Sequence, residues 1–104
     1  MSILLVTQTW YWSDWGVQAK IERAWMDGSH RQVVVSKDIV WPNGIALDVV
    51  DQRLFWCDAK NDRIESVKVD GSDRQIIVQV GTHDAYFLQV SQNVFYKKKM
   101  IEMM

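Results

Sequence analysis

The chain has 104 residues, 48% of them hydrophobic and 24% charged, and its 12 Lys+Arg against 13 Asp+Glu leave a formal charge of -1. That balance offers no surplus of basic side chains for nucleic acid or an anionic membrane, while six tryptophans and a single proline exclude a disordered linker. No apolar run approaches the ~18 residues of a membrane span, Ile3-Leu4-Leu5-Val6 falls short of a signal-peptide core of ~7 to 15, and the lone Cys57 excludes a disulfide framework or Cys-rich zinc site.

The elements follow in chain order. Tyr11-Trp12-Ser13-Asp14 reads as an aromatic strand, with a loop after it and a second strand beginning at Ile21. Asp27-Gly28-Ser29-His30 then marks a hairpin, because glycine accepts the positive φ that a tight turn demands. The β-branched run Val33-Val34-Val35 favours another strand. Pro42-Asn43-Gly44 reads as a turn or bulge ahead of a strand over 45–49, in which Ile45 and Leu47 alternate with Ala46 and Asp48. Residues 54–58 form the next aromatic strand, between Asp51-Gln52 and Lys60-Asn61-Asp62. Two further strands, over 64–69 and 75–78, flank Asp70-Gly71-Ser72-Asp73, another Asp-Gly hairpin.

These elements are two copies of one pattern. Tyr11-Trp12-Ser13-Asp14 returns as Phe55-Trp56-Cys57-Asp58 at an offset of 44, and Ile21-Glu22 through Asp27-Gly28-Ser29 returns as Ile64-Glu65 through Asp70-Gly71-Ser72 at an offset of 43. Nine of sixteen compared positions are identical, too many for coincidence at this composition. The lost residue falls where Trp15-Gly16-Val17-Gln18-Ala19-Lys20 becomes Ala59-Lys60-Asn61-Asp62-Arg63, which marks a loop. A third copy begins at Leu88 and Val90, reaches Phe95-Tyr96, and breaks at Lys97-Lys98-Lys99.

About four short antiparallel strands every ~40 to 45 residues is the unit of a β-propeller blade. The expected fold is therefore all-β, an incomplete propeller of about two blades over 1–96. Its repeats run over about 3–47 and 45–90, with an aborted third over 88–96 and a solvated tail over 97–104.

Tyr11-Trp12-Ser13-Asp14, Ile21-Glu22-Arg23, Met26-Asp27-Gly28-Ser29 and Trp41-Pro42-Asn43-Gly44-Ile45 resemble the YWTD (class B) repeat of the low-density lipoprotein receptor family, and within it the Wnt co-receptor branch. The resemblance covers about 3–90. It implies a six-bladed propeller on the outer face of the plasma membrane, of which this chain is a fragment. It also implies a non-catalytic module that binds a protein ligand in Wnt signalling or endocytic uptake, with no cofactor. Ser13 and Cys57 stand where the family has another small residue, and Asp84-Ala85 where it commonly has His-Pro. Two other propeller types remain open. Pro42-Asn43-Gly44 also resembles the Asn-Gly step of metal-dependent lactonase propellers, and nidogen-type matrix proteins use the same repeat.

The resemblance assigns Asp14 and Asp58 to hydrogen bonds between neighbouring blades, a structural role that suits a carboxylate only where several donors satisfy it. Tyr11, Trp12, Phe55, Trp56, Pro42, Gly28, Gly44 and Gly71 complete the structural motif. Ligand-binding candidates are Trp15 and Trp41, aromatics at strand ends for which packing in the core or between blades is the more common fate, and Lys60-Asn61-Asp62-Arg63, the loop where the copies differ. Glu22 and Glu65 either line an acidic mouth for basic ligands or pair with a neighbouring arginine. Trp25 is expected between blades or half exposed, His30 and His83 in surface loops, and Cys57 as a strand filler. An arc of two blades leaves apolar faces open, so self-association is a further expectation.

Overall fold

The computed structural model describes residues 2–79. They form eight strands: β1 (Ser2–Val6), β2 (Thr9–Asp14), β3 (Lys20–Trp25), β4 (Gln32–Val35), β5 (Pro42–Asp48), β6 (Arg53–Asp58), β7 (Arg63–Lys68) and β8 (Gln75–Gln79). The strands make two antiparallel four-stranded sheets in up-and-down order, β1-β2-β3-β4 and β5-β6-β7-β8. The segments expected as a third repeat over 88–96 and a tail over 97–104 lie outside the described residues.

The sequence repeat is reproduced bond for bond in the backbone. In the β3–β4 hairpin Trp25 N–H donates to the Ser29 carbonyl and Gly28 N–H to the Trp25 carbonyl; in the β7–β8 hairpin Lys68 donates to Ser72 and Gly71 to Lys68. Asp27 and Asp70 each accept from the backbone N–H and the hydroxyl of the serine two residues on. This side-chain turn uses only partners within the hairpin itself, so it needs no tertiary contact. Gly28 and Gly71 sit at φ +87° and +91°, the left-handed region that the Asp-Gly signal anticipates. Register shifts fall at Ile21/Glu22 and again at Ile64/Glu65, the same irregularity at matching positions of the two copies.

β5 begins at Pro42, three residues earlier than the alternation of Ile45 and Leu47 suggests. Proline fits there because it is the first residue of a strand at one margin of its sheet, where no ladder N–H is required of it. Gly44, at φ +52°, takes up the register shift between Asn43 and Ile45. The turn-or-bulge reading of Pro42-Asn43-Gly44 is thus a bulge inside the strand.

The sheets stack face to back. Strand pairing puts Leu4, Tyr11 and Ile21 on one face of the first sheet, and Ile45, Leu47, Leu54, Trp56, Glu65 and Val67 on one face of the second. Tyr11, Ile21, Val34, Val35, Ile39, Ile45, Leu54, Trp56 and Val67 share a single core cluster, with Leu4 and Leu47 packed against it. At about 25 cal/mol per Å² of apolar surface removed from water, this interface is the main stabilising contact between the copies. Gly71 shows how close they come: a Cβ built there lies 3.0 Å from the Val34 carbonyl oxygen, whereas one at Gly28 meets nothing within 4 Å.

The opposite face of the first sheet, with Ile3, Leu5, Trp10, Trp12, Glu22, Ala24 and Val33, matches the buried face of the second position by position. Here Ile3 and Leu5 are exposed and Trp10 and Trp12 half-buried, while Val33 is as exposed as its counterpart Ile76 in the second sheet. On the far face of the second sheet, Phe55, Cys57, Ile64 and Ser66 are all buried.

Candidate ligand-binding end of the blades

One end of the two sheets carries the β2–β3 loop, the β6–β7 loop and the linker 36–41 between β4 and β5. The linker starts beside Ile21, the pairing partner of Val35, and ends where Pro42 pairs with Asp58. All three segments therefore lie together.

Asp58 organises this end. Fully buried, its carboxylate accepts hydrogen bonds from the backbone N–H groups of Val40 (3.0 Å), Trp41 (3.3 Å), Lys60 (3.0 Å) and Asn61 (3.1 Å), and from Asn61 Nδ2 (3.1 Å). Ala59 N–H closes the junction by donating to the Trp41 carbonyl at 3.0 Å. Five donors on one carboxylate explain how it is tolerated out of water. Its sequence counterpart Asp14 is exposed.

Trp41 projects from this junction about 43% exposed, with Lys60 Nζ 5.5 Å from its ring centroid in cation–π range. Trp15, similarly exposed, stands in the β2–β3 loop with the exposed Val17, and Val40 adds further apolar surface. The structure brings Trp41 and Lys60 together. It commits Asn61 to Asp58, and Arg63 to Glu65 (3.0 Å) and to the Asp38 carbonyl (3.4 Å). Asp62, half-buried at φ +54°, and Asn61 lend their carbonyls to Gln79 Nε2.

Glu22 and Glu65 do not present carboxylates to solvent. Both are buried, and each is clasped by an arginine from the following strand region: Arg31 Nε and NH2 donate to Glu22 at 2.9 and 3.1 Å, and Arg74 Nε and NH2 to Glu65 at 2.8 and 3.0 Å. Lys20 and Arg63 add a second cation to each. A carboxylate on an otherwise apolar face is stable only when paired in this way. The hydrogen bond from Arg31 holds the Glu22 carboxyl below the usual carboxylate range, against the opposing effect of burial. Of the two alternatives for these glutamates, the geometry matches ion pairing. The arginines had one sequence clue, their recurrence three residues after Gly28 and Gly71.

Arg74 also spans the two repeats: NH1 donates to the Lys37 carbonyl and NH2 to the Asp38 carbonyl, the latter at 3.0 Å. Both arginines lie over tryptophan rings, Arg74 5.3 Å from Trp56 and Arg31 5.5 Å from Trp12. At the opposite end of the first sheet, exposed Trp25 stacks on His30 with centroids 3.5 Å apart, a contact that strand alternation does not reveal. Cys57 is fully buried, and burial followed by the nearby Asp58 and Asp62 pushes its thiol up to about 12, so it holds no reactive thiolate. Among the described residues, no three His, Cys, Asp or Glu side chains cluster to hold a metal. No helix there is long and apolar enough to cross a membrane.

Two repeated up-and-down sheets stacked face to back are consecutive blades of a β-propeller. The profile of the low-density lipoprotein receptor repeat class B matches residues 9–49 and 52–90, and the chain belongs to that family. It is 40% identical over 94 residues to the vitellogenin receptor of Solenopsis invicta, and 41% identical over 86 residues to vitellogenin receptor Yl of Drosophila melanogaster. These alignments cover 89% and 83% of this chain but 5% and 4% of the receptors. The human low-density lipoprotein receptor-related protein 5-like protein is 44% identical over 69 residues, 66% of this chain and 27% of that protein. Among solved structures, a chain of a nidogen/laminin complex superposes with a TM-score of 0.67 at 35% identity, over 74% of this chain and 29% of that one. The chain thus spans a small part of the relatives it matches.

Proposed function

We propose that this chain is part of a non-catalytic propeller that binds a protein ligand in an extracellular receptor of the low-density lipoprotein receptor-related type, either a Wnt co-receptor or an endocytic receptor. The observation that carries the reading is Trp41 with Lys60 above it. A large aromatic is held in solvent by a rigid junction, beside Val40 and at the same end as Trp15. Aromatic anchors on preorganised supports are what interface hot spots are made of. Family membership and relatives that carry receptor names support the class.

The likeness to a chain from a nidogen/laminin complex favours matrix binding as a second reading. One experiment separates the readings. An intact propeller carrying this sequence, its Trp41→Ala variant and its Lys60→Glu variant are titrated against immobilised vitellogenin, a Wnt-pathway ligand and laminin. Loss of roughly tenfold or more in affinity for one of them, with unchanged unfolding, supports the site and names the class of partner. Wild-type affinity for every ligand in folded variants overturns it.

A further inference from the structure

The two copies part in chemistry at one corner, at the end of the sheets opposite Trp41. In the second sheet that corner is closed from within. Arg53 Nε and NH2 donate to Ser66 Oγ at 3.2 and 2.9 Å, and its NH1 donates to the Asp73 carboxylate at 2.9 Å. At the corresponding positions the first sheet has Thr9 for Arg53, Arg23 for Ser66, Trp25 for Lys68 and His30 for Asp73. Thr9 is too short to span the corner, and a cavity of about 230 Å³ lies there, lined by Thr9, Arg23, Ala24, Trp25, His30 and Gln32.

This is not the exposure of an unstacked face. Thr9 pairs with Trp25 and Tyr11 with Arg23, so all four belong to the face that the second sheet covers around Tyr11 and Ile21. Past the edge of that cover Trp25 is 53% exposed and stacked on His30. Met26 N–H donates to the Gln8 carbonyl at 2.9 Å, which ties the β3–β4 hairpin to the β1–β2 turn and holds this end rigid.

The charge at the corner is unbalanced. Arg31, Arg53, Arg63 and Arg74 each pair with a carboxylate. Arg23 is the exception among the described residues: half-buried, it donates from Nε and NH2 to a neutral acceptor, Gln32 Oε1, at 3.1 and 2.8 Å. A guanidinium keeps its charge and presents several N–H donors in one plane, a geometry that fits an incoming carboxylate. A second cavity of about 440 Å³ adjoins the first across Thr9 and Trp25, with the exposed Met26 and Asp27 on its wall. The Asp27 carboxylate already accepts from the Ser29 N–H and hydroxyl.

We propose that this corner is a further protein-binding site, which takes an acidic residue followed by an aliphatic one in a peptide segment of a partner. The acidic side chain enters the smaller cavity and meets Arg23. The aliphatic side chain lies in the larger one against Trp25 and Met26, where Asp27 repels a second carboxylate. An acidic glycan would also satisfy Arg23, but it leaves the apolar Met26 flank uncovered and finds one face of Trp25 already taken by His30. A rigid tryptophan beside an arginine is a common composition for a protein-binding hot spot.

The test follows the Trp25 indole N–H and the Arg23 Nε–H by NMR in the isotope-labelled full chain. It is titrated with the blocked tetrapeptide Gly-Glu-Leu-Gly, with its Gly-Gln-Leu-Gly counterpart and with sialyllactose. The glutamate peptide should shift both signals and bind about threefold or more tighter than the glutamine peptide. Arg23→Gln should bring the glutamate peptide down to the glutamine one and leave the latter unchanged; a merely structural arginine would weaken both alike. His30→Asp, which supplies from within the carboxylate that the second sheet has, should abolish the preference for glutamate. Trp41→Ala should alter none of these titrations, so this site stands or falls apart from the one at the other end. Equal binding of the two peptides, equal loss of both in Arg23→Gln, or no shift of either signal overturns the proposal. So does sialyllactose binding through Arg23 with both peptides silent, which gives the corner to an acidic glycan.

Discussion

The two sheets carry one pattern in two environments. Trp56, Glu65 and Arg74 are closed in by the first sheet and its linker; Trp12, Glu22 and Arg31 adopt the same local geometry with Glu22 still buried, Trp12 half-buried and Arg31 exposed to solvent. Local geometry is therefore set by the repeat itself, through the arginine clasp and the Asp-Gly hairpin, and does not need the neighbour. The neighbour adds burial and the backbone contacts that Arg74 and Asp58 make with the linker. Equivalent substitutions in the two sheets should isolate that second contribution.

The largest difference is expected at the tryptophans. Trp56→Ala opens a cavity in the core and should destabilise by about 3–5 kcal/mol in chemical denaturation, whereas Trp12→Ala, on the open face, should cost about 1–2 kcal/mol. Asp58→Ala follows. It strips the acceptor from five donors and should cost about 3 kcal/mol, against about 0.5 kcal/mol or less for the exposed Asp14→Ala. The glycines come next. Gly71→Ala meets both a left-handed backbone and the Val34 carbonyl and should cost about 2 kcal/mol; Gly28→Ala meets only the backbone and should cost about 1 kcal/mol. Equal costs within any pair would show that the sheets do not differ as described.

A smaller effect lies in the acid limb. The Glu22 carboxyl is held below its ordinary value of 4.5, so the stability it contributes is present above that pH and is lost as pH falls through the lower folded value. Glu22→Gln should flatten this part of the stability profile, and an unchanged acid limb would remove Arg31 as the cause.

Much of the fold was legible in the sequence because its signals are local. The Asp-Gly-Ser hairpins and the recurrence of Tyr/Phe-Trp-X-Asp need no tertiary information, and both appear in the structure where the spacing put them. The start of β5 was obscured because Pro42-Asn43-Gly44 carries turn chemistry that a bulged strand also uses. The candidate site was less legible. Place at a strand end left Trp15 and Trp41 open to two fates, packing in the core or between blades and exposure as ligand contacts; the structure leaves both about half exposed. The diversion of Asn61 and Arg63 to Asp58 and Glu65 did not, because those partners are set by how the loop folds back on its own strands. Hidden most deeply was the linker contact of Arg74, whose acceptors are backbone carbonyls and leave no mark on residue identity.

The central claim is that one sheet covers the tryptophan-bearing face of the other and leaves its own equivalent face open. Brief oxidative footprinting of the folded chain, read at each tryptophan by mass spectrometry, tests it most directly. Trp15, Trp25 and Trp41 should be modified fastest, Trp10 and Trp12 at intermediate rates, and Trp56 only on unfolding. Modification of Trp56 as fast as Trp12 in the folded chain would contradict the stacking of the two blades.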